Sequence, residues 1–263
     1  MMSMKLYLLL IRASMRSRMQ YKMNFLFSMA MASCVHVAEF LMVALVMMKF
    51  GSIKGWSLYE VCYLYGIMML SRAIYRTLAS DVHHLEKYLV TGDLDALIIR
   101  PIPVLLALMT QNAKILFAEL GQGIILLVIA MRALMQQGQI GWEAVPLTVL
   151  VILSGAVILF AIGLATSALG FWLTRIESLQ NMTEDASQTA ARYPLSLYPK
   201  WLQTAFLAVV PVGFVNYIPS LFILRQDGGL LFLLGSILVA ALALYLAMQL
   251  WKLGLSRYQS TGS

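Results

Sequence analysis

Residues 146–173, PLTVLVILSGAVILFAIGLATSALGFWL, form an apolar run that contains no charged side chain. A helix that crosses a bilayer needs about 20 predominantly apolar residues, so this run is long enough to span one. The whole chain has the same character, because 61% of its 263 residues are hydrophobic and only 12% are charged. Long unbroken runs are incompatible with a membrane β-barrel, whose strands alternate apolar and polar residues. The sequence therefore predicts an all-α membrane protein.

The sequence predicts six membrane-spanning helices, one of which is this run. Five of them are apolar enough for hydropathy to indicate them, whereas the segment TRIESLQNMTEDASQTAARYPLSLYPK at 174–200 is too polar to face lipid. A polar span is tolerated only against other helices or a watery cavity. The predicted spans cover residues 24–48, 57–75, 104–131, 146–173, 176–193 and 230–253.

The distribution of lysine and arginine predicts the orientation of these spans. Basic residues are dense in residues 1–23 and 72–103, but sparse in the loops at 49–54 and 132–145. Because Lys and Arg concentrate in cytoplasmic loops, the N-terminus and residues 72–103 are expected in the cytoplasm. An even number of spans, which requires the polar fifth one, brings the basic C-terminal tail to the same side. The net charge of +7 is explained by the same concentration of Lys and Arg in cytoplasmic loops. We therefore expect the chain to contact membrane lipid and no nucleic acid.

The chain is predicted to have two regions and one prominent connector. Residues 1–23 are expected to form a cytoplasmic interfacial helix, and residues 24–263 the membrane domain. Within that domain, residues 77–103 form a cytoplasmic connector between the second and third spans. Its last part, GDLDALIIRPIP at 92–103, opens on a glycine and closes on Arg-Pro. Proline cannot continue a helix, so the connector is predicted to stop there.

Four segments in order along nearly the whole chain resemble one family. They are GDLDALIIRPIP at 92–103, RYPLSLYPKWL at 192–202, PVGFVNYIPSLFIL at 211–224 and SRYQSTG at 256–262. Together they resemble the permease subunits of bacterial type-2 ABC exporters, in particular the subgroup with a Gly-Asp-Leu-Asp…Arg-Pro connector. The resemblance implies six spans per subunit, a second permease copy or a sister permease, and two copies of a separate cytosolic ABC ATPase. It also implies an outer re-entrant segment at 194–224 and a location in the bacterial cytoplasmic (inner) membrane, with both termini in the cytoplasm.

The chain has no sequence signature of its own for ATP hydrolysis. The Gly-x-x-x-x-Gly-Lys-Ser/Thr run that cradles phosphate does not occur in it. We therefore expect no catalytic residue, no metal and no bound cofactor in this chain, with ATP and Mg held by the partner ATPase. The expected function is ATP-driven export of an amphipathic compound, such as a drug, a toxic cation or a lipid.

Force from the ATPase is expected to enter through the connector. Leu85, Tyr88 and Leu89 follow an i, i+3, i+4 spacing and can form the apolar face of a short helix that lies in a groove on the ATPase. The alternative is an ordinary solvated loop. The residues predicted to take part in coupling are His83, His84, Leu85, Tyr88, Leu89, Gly92, Asp93, Asp95, Arg100 and Pro101.

Polar side chains inside the predicted spans are candidates for a translocation path. Charge within a membrane is costly and usually faces the protein interior. These residues either line a path, where the acidic groups would favour cationic cargo, or pair with one another between helices and hold a dimer interface. The candidates are Glu39, Glu119, Gln122, Asn181, Glu184, Asp185 and Gln188. His36 can also pair with Glu39, three residues away on the same helix.

Two other classes of function stay open from the sequence. An ion-coupled secondary carrier would use the buried charges as a proton relay, but such carriers usually show internal repeats, and this chain has no convincing halves. A membrane scaffold that anchors a cytosolic enzyme would need neither a path nor a motor.

Overall fold

The structure, a computed structural model, describes most of the chain. The described residues are Tyr7, residues 11–12, residues 22–173 and residues 175–259. The interfacial helix predicted at 1–23 and the end of the SRYQSTG segment therefore lie largely outside the described residues.

Helices form nearly all of the described structure, apart from one small hairpin of two-residue strands. The antiparallel strands are β1 (Ser52–Ile53) and β2 (Trp56–Ser57). The helices are α1 (Lys22–Phe50), α2 (Leu58–Leu78), α3 (Leu85–Thr91), α4 (Asp93–Ile98), α5 (Val104–Thr110), α6 (Phe117–Gln136), α7 (Ala144–Ala168), α8 (Glu177–Arg192), α9 (Lys200–Ala208), α10 (Tyr217–Arg225) and α11 (Leu230–Arg257). Short 3₁₀ turns lie between them at Val82–His84, Leu169–Phe171, Leu195–Leu197 and Val212–Phe214.

Within the described ranges, four helices are long and apolar enough to cross a membrane. They cover Leu26–Lys49, Phe117–Gln136, Ala144–Phe171 and Leu230–Arg257. The segments Lys200–Ala208 and Val212–Arg225 are bent by 77° to one another and would add a fifth if they counted as one span. The prediction of an all-α membrane fold is confirmed. The assignment of α2 and α8 as further spans, and hence the total of six, stays a prediction.

The third span predicted at 104–131 is wrong in one respect, because the chain leaves the helix between α5 and α6. Asn112 adopts a left-handed conformation, with φ of 51°, and its Nδ2 donates to the Asp81 carboxylate at 2.8 Å. The backbone N–H of Lys114 donates to Ser80 Oγ at 3.3 Å. Ser80 thus accepts one backbone N–H that the break leaves without a helical partner, and the Asp81 carboxylate holds the Asn112 side chain at the break. Hydropathy reports only that both halves are apolar, so it joins them.

Helix α2 packs against both α6 and α7, and α11 packs along α7. The Tyr63 and Thr148 hydroxyls hydrogen-bond across the α2–α7 contact at 2.7 Å, and Ser71 Oγ donates to the Ile152 carbonyl at 3.0 Å. Gly155 allows a close approach to backbone, since a Cβ there would lie 2.7 Å from Ser71 Oγ and 2.9 Å from the Val215 carbonyl oxygen. Small residues at such crossings are typical of membrane helices.

The two ends of the bundle differ in construction. We call residues 79–116, between α2 and α6, the connector end, and residues 51–57 with 193–229 the hairpin end. At the hairpin end Lys54 Nζ donates to the Ser196 carbonyl at 3.0 Å, and Trp56 Nε1 donates to Ser196 Oγ at 3.1 Å. The β-hairpin is thereby fixed to the segment that precedes α9.

The buried carboxylate of Glu60 stabilises the hairpin end and caps the first turn of α2. Glu60 forms a capping box with Ser57, in which each side chain accepts a hydrogen bond from the other's backbone N–H. It also accepts from Gln139 Nε2 at 2.9 Å and pairs with Arg225 at 3.4 Å. Glu60 is only 4% exposed, so it is buried within the chain.

We expect Gly155→Ala to lower the thermal stability of the purified protein, with a cost of about 1–3 kcal/mol. The added methyl group must displace a backbone carbonyl, and overpacking of this kind is seldom relieved. Gly235→Ala, in α11, is the matched control, because a Cβ at Gly235 meets nothing within 4 Å. Unfolding midpoints in detergent measure both changes, and equal midpoints would contradict the close packing at Gly155.

Candidate functional site

An ionic network crosses the interior of the bundle and joins α1, α2, α6 and α8. Glu184 on α8 is its centre: its carboxylate lies 3.3 Å from Arg72, 3.3 Å from Arg76 and 3.0 Å from His83 Nε2. The two arginines are one helical turn apart on α2, so both reach the same carboxylate. Glu184 therefore ties the short polar helix α8 to α2.

A second part of the network connects α1 to α6 and α8 through His36. Its Nδ1 lies 3.4 Å from Glu39 and its Nε2 lies 3.4 Å from Glu119. Glu119 also faces Arg72 at 3.6 Å, and Glu39 accepts a hydrogen bond from Arg192 at 2.8 Å. The expected pairing of His36 with Glu39 is present, within a larger assembly.

The network offsets its own charge. Glu39, Glu119 and Glu184 each face at least one guanidinium, and these belong to Arg72, Arg76 and Arg192. An acidic group that already faces a guanidinium attracts a further cation only weakly. The expectation that these carboxylates favour cationic cargo thus loses its electrostatic basis, and pairing between helices is the arrangement found.

The predicted glutamines also link helices. The Gln188 amide lies against Arg72 and, with its oxygen turned toward the guanidinium, accepts from Nε at 3.0 Å and Nη2 at 3.2 Å. Gln122 Nε2 donates to the Ser33 carbonyl at 3.2 Å and so joins α6 to α1. Two cavities adjoin the network, each of about 20 Å³, which is room for about one water molecule.

Helix α8 has two polar faces, and only one belongs to the network. Glu184 and Gln188 are partly buried, and Gln180 and Ser187 are fully buried. Asp185 is exposed on the other side, together with Met182, Ala186 and Thr189, while Asn181 is exposed at the edge between the two faces, near His83. The residues predicted as one group on this helix therefore divide between an inward face and an outward face.

The apolar face of α3 is buried within the chain. Leu85 is 0% exposed and Tyr88 is 5% exposed, while Leu89 lies against Gly170 at the end of α7. This contradicts the expectation that Leu85, Tyr88 and Leu89 form the docking face for a partner. A short amphipathic helix has a single apolar face, and here that face attaches α3 to its own bundle.

A different set of connector residues is exposed. Ile99 is 84% exposed, Val90 65% and Ile98 42%. Exposed charged residues lie near these apolar groups in the sequence, and we call the whole set the connector surface. It comprises Lys87, Val90, Asp93, Ile98, Ile99 and Arg100.

Asp81 fixes the connector in place. Its carboxylate accepts hydrogen bonds from the Tyr88 hydroxyl and from Asn112 Nδ2. Burial, followed by the hydrogen bond to Asp81, raises the pKa of Tyr88. His83 is buried against Glu184 and His84 is exposed; burial lowers the pKa of both imidazoles, and the nearby charge of Arg76 lowers them further.

The remaining connector residues have structural roles. Gly92 joins α3 to α4 with a φ of 76°, a left-handed conformation that favours glycine. Asp93 accepts from Thr91 Oγ1 at 2.7 Å, and Arg100 donates to Gln111 at 3.4 Å. Pro101 is exposed just after α4.

The end of α11 packs at the connector end. Burial, followed by the Asp95 carboxylate, raises the pKa of the Tyr258 hydroxyl of SRYQSTG. The Tyr258 ring also packs edge-on against Phe171, at 6.2 Å between centroids. The residue after α11 is thus in contact with the 3₁₀ turn that follows α7.

The arginines of the network were not predicted from the sequence as ion-pair partners of its glutamates. Arg72 and Arg76 entered only as basic residues that set the orientation, and Arg192 was not singled out. A signal was present, because Arg72 and Arg76 recur at a spacing of four where the apolar span predicted at 57–75 ends. Two cations on one helix face require anionic partners when lipid surrounds the helix.

Comparison with protein families gives one match. The family model described as ABC-2 family transporter protein matches residues 34–262, which is most of the chain. A search of curated proteins finds no match.

We expect Glu184→Gln to destabilise the chain by about 3 kcal/mol, because removing one partner of a mostly buried pair leaves the other charge uncompensated. Asp185→Asn is the matched control: the adjacent residue undergoes the same loss of charge but is exposed, so its effect should stay within about 0.5 kcal/mol. Thermal unfolding in detergent, followed by intrinsic fluorescence, measures both. Equal destabilisation would show that the pairs around Glu184 do not hold α8.

Proposed function

The chain belongs to the ABC-2 family of transporter proteins, and on that premise we propose that it is the membrane-spanning permease subunit of an ATP-driven exporter. The family match over residues 34–262 is the observation that carries the proposal. The substrate that we propose is an amphipathic compound, which leaves the cytoplasm by a path between two permease subunits in the bacterial inner membrane. Both chain termini then lie in the cytoplasm, and α2 and α8 are the second and fifth of six spans.

The motor is a separate ABC ATPase present in two copies. The permease has no phosphate-binding loop, so the free energy of ATP hydrolysis must reach it through contact between proteins. ATP and Mg bind to the ATPase, and the permease contributes no catalytic group to hydrolysis.

The connector surface is the proposed ATPase contact. Ile99, Val90 and Ile98 are apolar and exposed at the connector end, outside the helices that are long and apolar enough to cross a membrane. Lys87, Asp93 and Arg100 around them give the polar rim that protein interfaces usually have. The buried face of α3 supports this arrangement, since it fixes the surface rigidly to the bundle.

Contacts behind this surface can transmit movement to the spans. Glu86 on α3 accepts hydrogen bonds from the backbone N–H groups of Ile176 and Glu177, and so caps the start of α8. Ser167 on α7 donates to the Val82 carbonyl at 2.7 Å and accepts from Gln180 on α8 at 2.7 Å. A displacement of α3 therefore acts directly on α8, the helix that carries Glu184.

The outward face of α8 is the proposed contact with a second permease and with the path. Asp185 on this face is charged and exposed in the single chain, and Thr189 is polar and exposed one turn further on. A carboxylate facing hydrocarbon would cost several kcal/mol, so the face must meet water or protein. A second copy of the chain, or a sister permease, placed against α8 satisfies that requirement.

We expect Val90→Asp combined with Ile99→Asp to abolish co-purification with an ABC ATPase encoded beside this gene, and to abolish vanadate-sensitive ATP hydrolysis in the reconstituted complex. The added carboxylates would be desolvated at the contact without partners. Membrane insertion and elution volume should not change, because both side chains are exposed. Val209→Asp, at the hairpin end where Val209 is 77% exposed, is the matched control and should bind the ATPase normally. Binding by the double variant would place the contact elsewhere.

Cysteine cross-linking tests the pairing of permeases. In a background without Cys34 and Cys62, we expect Ala186→Cys on the outward face of α8 to form a covalent dimer under oxidation in membranes. Leu238→Cys on α11, where Leu238 is 70% exposed on an apolar face, should stay monomeric. A dimer through Leu238→Cys with none through Ala186→Cys would put α11 at the interface.

A further inference from the structure

A cavity of about 470 Å³ lies at the connector end, between α3 and the ends of α7 and α11. Its wall is made mainly of apolar and aromatic side chains, with one cation and one amide. The lining residues are Leu89, Val90, Gly170, Phe171, Trp172, Leu173, Arg257, Tyr258 and Gln259. Sites for small molecules in proteins have volumes of about 300–1,000 Å³ and a similar mixture of groups. The cavity is therefore large enough for part of a lipid, unlike the two small cavities beside the ionic network.

The charge of the cavity selects an anion. Arg257 is the ionised residue among its lining groups, and it is exposed. A guanidinium presents a planar fork of N–H donors that matches phosphate oxygens in pairs. The Gln259 amide adds a further donor to the same wall. Asp95, whose carboxylate contributes to the raised pKa of Tyr258, is not part of the lining.

The position of the cavity selects a membrane ligand. On α11, Leu246 and Leu253 are 57% and 58% exposed, and Arg257 follows Leu253 by one helical turn. Exposed leucines on an apolar span face acyl chains, so Arg257 lies where that face enters the headgroup layer. Trp172 is 48% exposed on the cavity wall, in keeping with an aromatic residue at a membrane interface.

We propose that this cavity binds the headgroup of an anionic phospholipid, with its phosphate on Arg257 and its acyl chains along the Leu246–Leu253 face of α11. The bound lipid contacts Leu89 and Val90 of α3 on one side and α11 on the other. It thereby fills the space between the connector and the last span, so its occupancy regulates how firmly α3 is held to the bundle. Lipid binding itself requires only the membrane fold, and it stands or falls separately from the proposed ATPase contact.

Native mass spectrometry of the purified, delipidated full chain tests the proposal, with phosphatidylglycerol and phosphatidylcholine of identical acyl chains as probes. We expect phosphatidylglycerol to bind more tightly, and Arg257→Gln to weaken its binding about fivefold, which is the effect of about one basic residue at an anionic lipid surface. Phosphatidylcholine binding should change less than twofold. Lys252→Gln is the matched control, because Lys252 is an exposed cation near the same end of α11 but outside the cavity lining.

Three outcomes would overturn the proposal. An equal loss in Arg257→Gln and Lys252→Gln would indicate general attraction to surface charge, with no defined site. Unchanged phosphatidylglycerol binding in Arg257→Gln would show that Arg257 does not bind the lipid headgroup. Displacement of phosphatidylglycerol by millimolar inorganic phosphate would identify a site for a free anion and not for a lipid. Arg257→Lys, which keeps the charge but loses the planar fork, should fall between the wild-type chain and Arg257→Gln.

Discussion

Lipid cannot solvate charge, and the pairing of Glu184 with Arg72 and Arg76 is the response to that constraint on which much of this bundle depends. An ionised side chain at the centre of a membrane helix costs about 2.5–3.5 kcal/mol even on insertion scales. Neither α2 nor α8 is therefore stable alone among acyl chains. Placed against each other, the two helices supply opposite charges at 3.3 Å. The same pairing extends through Glu119 and His36 to α6 and α1.

This constraint also shapes the way the connector works. Because α8 is held by α2 on one side and capped by Glu86 of α3 on the other, it is attached to the element that we propose meets the ATPase. Apolar burial of Leu85 makes α3 a rigid extension of the bundle and leaves the opposite side for a partner. The packing of Tyr258 against Phe171 connects the last span to the end of α7. A load on the connector thus reaches α7, α8 and α11 through contacts already present in one chain.

A polar helix inside a membrane bundle has two sides to satisfy. The inward side of α8 is satisfied by arginines of the same chain, whereas its outward side, with Asp185, is exposed. The proposed permease pairing supplies what one chain does not. A second copy that covers this polar face would stabilise the bundle. The same face can also border a path, because a polar helix face in a membrane is satisfied by water as well as by protein.

The all-α membrane fold could be predicted from the amino-acid sequence alone, because the free-energy cost of exposing long apolar runs to water depends on their composition and length. The same pattern indicated a polar helix before the last span and a structured connector at GDLDALIIRPIP. The break at Asn112 became visible only in the folded chain, where Ser80 and Asp81, just after α2, bond the backbone of Lys114 and the side chain of Asn112. The tertiary structure also decided that Leu85 faces inward and that Glu184 pairs with arginine. Both outcomes depend on which helix faces meet. An ion pair or a buried face stabilises the chain only through contact between two segments, so neither segment's sequence predicts it alone.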